Sequence, residues 1–184
     1  TAYYDSMIAN WFNNKLNIKF PERKTLFGRK LKELRYGENP HQESSIYVND
    51  YNDRELGFTQ LNGKELSYNN YNDIFASLDL LKSIKGKSGT VVIKHANPCG
   101  VASADMLSDA WKDAYHCDSV SAFGGVIATN RILDEETARL ITSIFSEVVI
   151  SPDATSKARE ILSSKPNIRL LLTGGMPNPE QPSN

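Results

Sequence analysis

The feature that most limits the possible folds is a regular alternation of strand-like and helix-like segments that begins at Gly89. Short runs of β-branched and other apolar residues, predicted as strands, are separated by longer segments whose apolar residues recur at helical spacing. Because a helix between neighbouring strands allows them to run parallel, this alternation predicts an α/β fold in which helices cover a parallel sheet. The predicted strands are residues 90–94, 125–129, 147–151 and 168–172, and the predicted helices are residues 104–116, a helix from Asp134, and residues 154–162.

The residues on either side of this region show weaker patterns. Apolar residues at helical spacing predict a first helix near the start, and residues 45–48 and 57–61 can form short strands. A further helix is predicted to begin at Asp73, because apolar residues that share one helical face follow it. Three prolines in residues 173–184 predict a terminal loop.

Composition and charge exclude several classes of protein. With 184 residues, 40% of them apolar, the chain can bury the core of one ordinary domain or of two small ones. The formal net charge of −1 gives no indication of a nucleic-acid partner or of a membrane-surface patch. No apolar run approaches the roughly 20 residues of a membrane helix, and two cysteines are too few for a disulfide framework. The sequence therefore predicts a cytoplasmic protein with reduced thiols and with no nucleic-acid or membrane partner.

Two ionisable residues, Lys94 and His95, stand at the carboxyl end of the predicted strand that begins at Thr90. In α/β sheets ligands bind beyond the carboxyl ends of strands, so both side chains can face a cleft while the sheet holds their backbone. A neutral histidine near pH 7 can act as a general base. In the simpler alternative, Lys94 extends into solvent and His95 hydrogen-bonds a nearby carbonyl group, and the pair alone does not decide between the two.

The segment Ala96–Gly100 partly resembles a zinc-deaminase motif, in which a histidine-bearing segment and Pro-Cys-x-x-Cys bind the metal. Here the residue three positions after Cys99 is Ala102, so the second thiolate is missing. No glutamate stands two residues after His95. Without these groups the sequence predicts no catalytic metal.

Three further segments combine polar or small residues in patterns that suit ligand contacts. LRYGENPHQ presents Arg35 and Tyr36 on a loop broken by glycine, where they could contact a phosphate and a ring. SAFGG, residues 121–125, exposes backbone groups that could bind a planar amide, and ELSYNNYND, residues 65–73, is rich in asparagine. The simpler alternatives are a polar turn, a tight loop with Phe123 in the core, and helix N-capping.

Four motifs in this order, LRYGENPHQ, GKELSYNNYND, VVIKHANPCGVA and DSVSAFGGVIA, resemble the front part of the formyltransferase domain in the AICAR transformylase/IMP cyclohydrolase family. The opening TAYYDSMIANWF resembles the junction at which the cyclohydrolase domain of that family ends. The resemblance implies a cytidine-deaminase-like α/β/α sandwich with a mixed, largely parallel sheet. It also implies that residues 1–14 are an exit helix from an absent cyclohydrolase domain, and that residues 15–184 are the first of two deaminase-like halves.

The resemblance further implies an activity, namely transfer of a formyl group from 10-formyltetrahydrofolate to the 5-amino group of AICAR without a catalytic metal. Lys94 and His95 match the catalytic pair of the family. In the family an Arg-Tyr pair contacts the nucleotide, a Phe-Gly turn holds the carboxamide, an asparagine lines the site and an acidic residue binds the ribose hydroxyls. The matching positions are Arg35, Tyr36, Phe123, Gly124, Glu147 and either Asn70, the first choice, or Asn69.

The partners that the resemblance implies are AICAR, the folate co-substrate and a second copy of the chain, since the family assembles its active site at a homodimer interface. Folate contacts and a catalytic asparagine belong to the second half of the family's domain, which has no counterpart in these residues. Three interpretations therefore stay open. The chain is active together with a separately supplied second half, or it binds the nucleotide without turnover, or it is a structural fragment that does neither.

Overall fold

The computed structural model describes residues 1–48 and 56–175 of the chain, which form five helices and eight strands. The helices are α1 (Ala2–Lys15), α2 (Tyr68–Leu81), α3 (Leu107–Cys117), α4 (Glu135–Ile141) and α5 (Ser156–Ser163). The strands are β1 (Arg29–Leu34), β2 (Ser44–Val48), β3 (Thr59–Gln60), β4 (Ser88–Lys94), β5 (Asn97–Ala104), β6 (Val126–Thr129), β7 (Val148–Ser151) and β8 (Arg169–Leu172).

Six of the described strands form one mixed sheet in the order β3-β8-β7-β6-β4-β5, and β1 pairs with β2 separately. Strands β6, β7 and β8 run parallel, whereas β4 is antiparallel to both of its neighbours and β3 is antiparallel to β8. The predicted α/β class and the mixed sheet are confirmed. The prediction of a largely parallel sheet is wrong, because parallel pairing is confined to β6–β8.

The difference arises at β5, a strand that the sequence analysis does not predict. Its first half, Asn-Pro-Cys-Gly, has the composition of a loop. β5 is an edge strand of the sheet, where a proline, which has no N–H to donate, is tolerated. Gly100 also lets α3 approach, since a Cβ atom at that position would lie 1.9 Å from the Ala114 carbonyl oxygen. β4 therefore returns through a two-residue turn into β5 before the chain reaches α3.

Neighbouring residues of the central strands face two separate cores, as the alternation of side chains along a strand requires. One core joins the sheet to α3, α4 and α5, and its central strand residues are Val92, Ile127, Val149 and Leu170. The other joins the sheet to α2, and its strand residues include Val91, Ile93, Val126, Val148 and Leu171. Helices therefore cover both faces of the sheet, and the strand ends between these layers are where functional side chains are held.

Helix α2 begins five residues before the predicted start at Asp73. The Ser67 hydroxyl accepts a hydrogen bond from the backbone N–H of Asn70, and the Asn70 side chain accepts one from the backbone N–H of Ser67. This reciprocal pair is a capping box in which asparagine replaces the more frequent glutamate or glutamine. Asn69 and Asn70 therefore lie in the first helical turn and are held more firmly than loop residues.

The N-terminal residues pack differently from the sheet. Helix α1 confirms the predicted first helix, but none of its residues is buried. The Tyr3 ring meets the Phe27 ring edge-on at 5.8 Å, and Asn10 Nδ2 donates to the Thr25 carbonyl oxygen. The origin of α1 as an exit helix and the boundary at residue 15 stay predictions.

Two further sequence predictions concern the C-terminal loop and membrane-spanning helices. Most of the predicted terminal loop, residues 176–184, lies outside the described residues. Among the helices of residues 1–48 and 56–175, none is long and apolar enough to cross a lipid bilayer.

Candidate functional site

A cleft of about 560 Å³ opens beside the end of β4. Eight of the nine predicted site residues line it. Seven of them come from the four sequence motifs, each of which contributes at least one, and Glu147 comes from the segment that leads into β7. These residues are Arg35, Tyr36, Asn69, Asn70, Lys94, His95, Gly124 and Glu147. Phe123 is the predicted residue whose side chain does not line the cleft.

The cleft lies at the carboxyl end of β4 but at the amino ends of β6, β7 and β8. The register shows this directly, since Ile93 pairs with Val126, which in turn pairs with Val148, and Val148 pairs with Arg169. The expectation that the site lies at the carboxyl ends of parallel strands is therefore wrong for β6, β7 and β8, whose amino ends face the cleft. The antiparallel direction of β4 lets residues from both kinds of strand end meet at one edge.

The Lys94 side chain is anchored at this edge. Its Nζ atom donates a hydrogen bond of 2.9 Å to the backbone oxygen of Phe123, and the side chain is half-buried. The alternative in which Lys94 extends freely into solvent is therefore wrong. An ammonium group has three donors, so two remain that can face a ligand in the cleft.

His95 and Ala96 form the turn between β4 and β5, and both have left-handed backbone conformations, with φ of 54° and 58°. A two-residue hairpin turn with positive φ at both positions is a type I′ turn, which favours Asn-Gly. For residues with a Cβ atom this conformation costs about 1–2 kcal/mol per residue. The turn exposes the His95 side chain at the cleft, and the His95 carbonyl oxygen accepts a hydrogen bond of 2.8 Å from Asn97 Nδ2.

Asn70 and Glu147 form a direct pair in the lining of the cleft. Asn70 Nδ2 donates to Glu147 Oε2 at 2.7 Å, and the Asn70 side chain is 3% exposed. Its Oδ1 atom is already used as an acceptor in the capping box, so Asn70 orients the carboxylate and has little capacity left for a ligand. Asn69, the alternative, is exposed at the cleft and has its amide available from the same helical turn.

Arg35 and Tyr36 lie on the loop that follows β1. The Arg35 guanidinium lies over the Tyr36 ring at 4.9 Å and donates to the Tyr36 hydroxyl at 3.2 Å. Stacking on the ring limits the directions in which the long arginine side chain can point, at little cost in desolvation. The pair therefore presents an oriented cation at one rim of the cleft.

The SAFGG turn contributes backbone groups and not the Phe123 ring. Phe123 is 59% exposed and packs on Phe145 with ring centroids 5.5 Å apart, so the alternative that buries it in the core is wrong. Gly124 has a φ of 76° and donates its N–H to the Phe145 carbonyl oxygen at 2.8 Å. The turn thereby directs the Phe123 carbonyl oxygen toward Lys94.

Eight residues that the sequence analysis does not select also line the cleft, and two of them, Asp73 and Arg169, make hydrogen bonds that tie its walls together. Asp73 Oδ1 accepts a hydrogen bond of 2.6 Å from the backbone N–H of Ala96. Arg169 Nε donates to the Lys64 carbonyl oxygen at 3.0 Å, and Arg169 Nη1 donates to that of Glu147 at 3.4 Å. The available signal for Arg169 is a charged residue at the start of a strand that is otherwise apolar, whereas Asp73 is hidden by its resemblance to a helix cap.

Charges of both signs surround the cleft. Its cations are Arg35, Lys64, Lys94 and Arg169, and its carboxylates are Glu33, Glu65, Asp73 and Glu147. This mixture suits a ligand that has both an anionic group and hydroxyl or amine donors. Within the described residues, no group of three His, Cys, Asp or Glu side chains is arranged to hold a metal ion.

Cys99 lies in β5 close to these charges. Burial raises the pKa of the Cys99 thiol, Asp118 acts in the same direction, and Lys94 opposes them. A thiol whose pKa is raised is mostly protonated near pH 7 and is a poor nucleophile. Cys99 and Cys117 are both free, and neither was predicted as a site residue.

The whole chain matches one known protein family. The family model described as AICARFT/IMPCHase bienzyme matches residues 1–184. The chain belongs to the AICARFT/IMPCHase bienzyme family. The family resemblance inferred from the four motifs is thus confirmed. In this AICARFT/IMPCHase chain, residues from all four motifs line the same cleft.

Curated relatives agree with this family membership. The bifunctional purine biosynthesis protein PurH of Bradyrhizobium diazoefficiens is 48% identical over 187 residues, which cover 99% of this chain and 35% of that protein. The protein of the same name from Paracoccus denitrificans is 50% identical, and the alignment covers 99% of this chain and 35% of that protein. The one from Rhizobium rhizogenes is 49% identical, and the alignment covers 97% of this chain and 34% of that protein. The chain therefore spans about a third of the length of these AICARFT/IMPCHase relatives.

Proposed function

We propose that this chain supplies the nucleotide-binding part of an enzyme of purine biosynthesis that transfers a formyl group from 10-formyltetrahydrofolate to the 5-amino group of AICAR. The observation that most strongly supports the proposal is the meeting of eight predicted site residues in one cleft around Lys94 and His95. The mixture of charges there matches AICAR, which has a phosphate, ribose hydroxyls, an amine and a carboxamide.

The proposed binding mode follows from the type and position of the side chains. Arg35 binds the phosphate, since a guanidinium can make two parallel hydrogen bonds to it and the Tyr36 ring holds it in place. Glu147 accepts hydrogen bonds from the ribose hydroxyls, with Asn70 fixing its second oxygen. The SAFGG turn, through Gly124 and its neighbours, holds the carboxamide.

The proposed chemistry requires a proton to leave the amine as its nitrogen attacks the formyl carbon, because conjugation with the imidazole ring makes this amine a poor nucleophile. His95 takes that proton while the new C–N bond forms and the carbonyl electron pair moves to oxygen. The oxyanion then re-forms the carbonyl group, the bond from the formyl carbon to the folate nitrogen breaks, and that nitrogen takes a proton. The products are formyl-AICAR and tetrahydrofolate.

Lys94 is proposed to stabilise the oxyanion or to protonate the departing folate nitrogen. Its ammonium is already fixed by the Phe123 carbonyl oxygen, so little reorganisation is needed as charge develops. The proposal also includes a homodimer that shares the active site, with folate contacts made by a second half of the domain. It further includes a deaminase-like fold, catalysis without a metal and a cytoplasmic location.

The first test is a calorimetric titration of AICAR into the 184-residue chain. Saturable binding is expected, and Lys94→Ala is expected to weaken it about tenfold or more through the loss of a charged hydrogen-bond donor. Lys112→Ala is the matched control, since Lys112 is a half-buried lysine of α3 that does not line the cleft and pairs with Asp109 at 3.1 Å.

Three outcomes separate the interpretations. Binding by the chain, with formyl transfer once the second half is supplied, supports the full proposal. Binding without any transfer in that reconstituted protein leaves a nucleotide-binding portion only. If the chain and the reconstituted protein both fail to bind AICAR, or if Lys112→Ala weakens binding as much as Lys94→Ala, the proposed site is wrong.

A further inference from the structure

We propose that Asp73 is a positioning residue, whose carboxylate holds the peptide group between His95 and Ala96 and so sets the direction in which the imidazole enters the cleft. The inference rests on the proposed function in one respect, the role of His95 as a base. It assigns to Asp73 a task that neither its place in the sequence nor the helix-capping interpretation suggests.

The turn that Asp73 contacts has an unusual composition for its shape. His95 and Ala96 both have positive φ, and the pairing of Lys94 with Asn97 closes the turn after these two residues. Neither residue is glycine or asparagine, which usually occupy such positions at low cost. Residues in sparsely populated backbone conformations persist where surrounding contacts hold them, and they cluster at functional sites. The contacts that hold this turn therefore need to be identified.

Two side chains hold the central peptide group of the turn from its two ends. The N–H of Ala96 donates to Asp73 Oδ1 at 2.6 Å, and the carbonyl oxygen of His95 accepts from Asn97 Nδ2 at 2.8 Å. A rotation of this peptide plane would break both hydrogen bonds. Because strand pairing at Lys94 holds the chain before His95, fixing the peptide group after His95 also fixes the direction of the bond from its Cα atom to the side chain.

Asp73 is well suited to this task because its own position is rigid. It lies on α2, which packs on the sheet through Tyr71 and Ile74 and whose start is closed by the capping box at Ser67. A hydrogen bond from a backbone N–H to an ionised carboxylate is shorter and stronger than one to a neutral acceptor. The carboxylate lines the cleft but is engaged by the protein, which is expected of a group that acts through another residue.

Helix α2 thereby orients two separate groups of the cleft lining. One turn before Asp73, the Asn70 amide holds the Glu147 carboxylate at 2.7 Å. The proposed base, His95, and the proposed ribose-binding residue, Glu147, are therefore both positioned by contacts with the same helix. A loss of the Asp73 contact should disturb His95 while Glu147 stays in place, and this asymmetry can be measured.

The first experiment measures hydrogen exchange of the Ala96 amide by NMR in the 184-residue chain. Asp73→Ala is expected to speed this exchange about 10-fold to 100-fold, the loss typical of a hydrogen bond to a charged group. Asp73→Asn keeps an oxygen acceptor and is expected to give an intermediate rate; it also supplies the answer if the alanine variant does not fold. Asp79→Ala, a change of an exposed carboxylate on the same helix, is the control and should leave the Ala96 amide unchanged.

The second experiment measures formyl transfer in the reconstituted protein, in which the second half is supplied to this chain. Asp73→Ala is expected to lower kcat about 10-fold or more with little change in KM for AICAR, because the base is displaced while the nucleotide contacts remain. Adding Ala96→Gly to Asp73→Ala should restore much of the rate, since glycine adopts the left-handed conformation without the help of a carboxylate. Rescue of this kind is not expected if Asp73 acts directly on the substrate or only stabilises the fold.

The two experiments also separate this inference from the proposed function. If formyl transfer is absent from the reconstituted protein while Asp73→Ala still releases the Ala96 amide, the proposed function is wrong and the contact of Asp73 with the turn stands without a base to position. The inference is overturned if the exchange of the Ala96 amide is the same in the wild type and in Asp73→Ala. It is also overturned if the double variant is no faster than Asp73→Ala, or if KM alone changes.

Discussion

Two tight turns reach the same cleft, and they are built in different ways. The turn at Gly124 uses glycine for its φ of 76°, and it contributes backbone groups to the site. The turn at His95 and Ala96 uses residues with a Cβ atom for φ values of 54° and 58°, and it contributes a side chain. A site that needs an imidazole at a left-handed position cannot use glycine there, so neighbouring side chains must hold the turn. The comparison leads to four predictions.

The largest expected effect separates the side-chain turn from the backbone turn. Under the proposed function, His95→Ala in the reconstituted protein is expected to lower the rate of formyl transfer about 10²-fold to 10⁴-fold, the usual range for a lost general base. Phe123→Ala is expected to lower it less than about tenfold, since the ring packs on Phe145 and the contact with Lys94 is made by the backbone. Steady-state kinetics of the two variants test this, and equal losses would show that both turns contribute side chains to the reaction.

A second prediction concerns the cost of a Cβ atom in the glycine turn. Gly124→Ala is expected to lower the free energy of unfolding by about 1–2 kcal/mol, because its φ of 76° is unfavourable for alanine. Space is not the cause, since the added Cβ atom would lie 3.9 Å from the Phe145 ring. Urea unfolding monitored by circular dichroism measures the change. A loss well above this range would indicate that the turn lacks the room that the structure shows.

The opposite substitution in the other turn should have a smaller effect. Ala96→Gly relieves the left-handed strain, but it also increases the conformational freedom of the unfolded chain, and the two contributions have similar size. The free energy of unfolding is therefore expected to change by less than about 1 kcal/mol. The same urea titration measures it. A large destabilisation would mean that the Ala96 methyl group makes packing contacts that matter more than the backbone conformation.

The smallest expected effect is the pH dependence of stability that comes from Asp118, the carboxylate that precedes the glycine turn. Hydrogen bonds from Ser121 lower the pKa of Asp118 below its usual range. Because the pKa is lower in the folded state, the stabilisation is present above the unfolded pKa and is lost as the pH falls through the folded value. NMR titration of the carboxyl group should therefore give a pKa below that of an ordinary aspartate. In Asp118→Asn, the stability should show less dependence on pH in the acidic range, with Asp109→Asn as the control.

Much of the fold follows from local patterns in the sequence. The alternation of apolar strands and amphipathic helices after Gly89 predicts β4, β6, β7 and β8 and the helices between them, and Asp134 caps α4 as its position suggests, accepting from the Thr137 N–H at 2.8 Å. Family membership was also evident from motif order. These features depend on side-chain period and on capping chemistry, which adjacent residues determine by themselves.

What only the tertiary structure decided is the pairing between distant segments. The sequence does not reveal that Asn-Pro-Cys-Gly opens an edge strand, that Arg169 faces the strand start at Glu147, or that Asp73 contacts the turn at Ala96. Each of these depends on a hydrogen bond between residues far apart in the chain, such as the 23 positions between Asp73 and Ala96. A strand or helix can be recognised from its own residues, but the partner of a carboxylate is set by the packing of whole elements against each other. The sequence therefore identified eight of the residues that line the cleft, and the packing of α2 on the sheet decided that Asn70 and Asp73 hold other residues of the cleft in place.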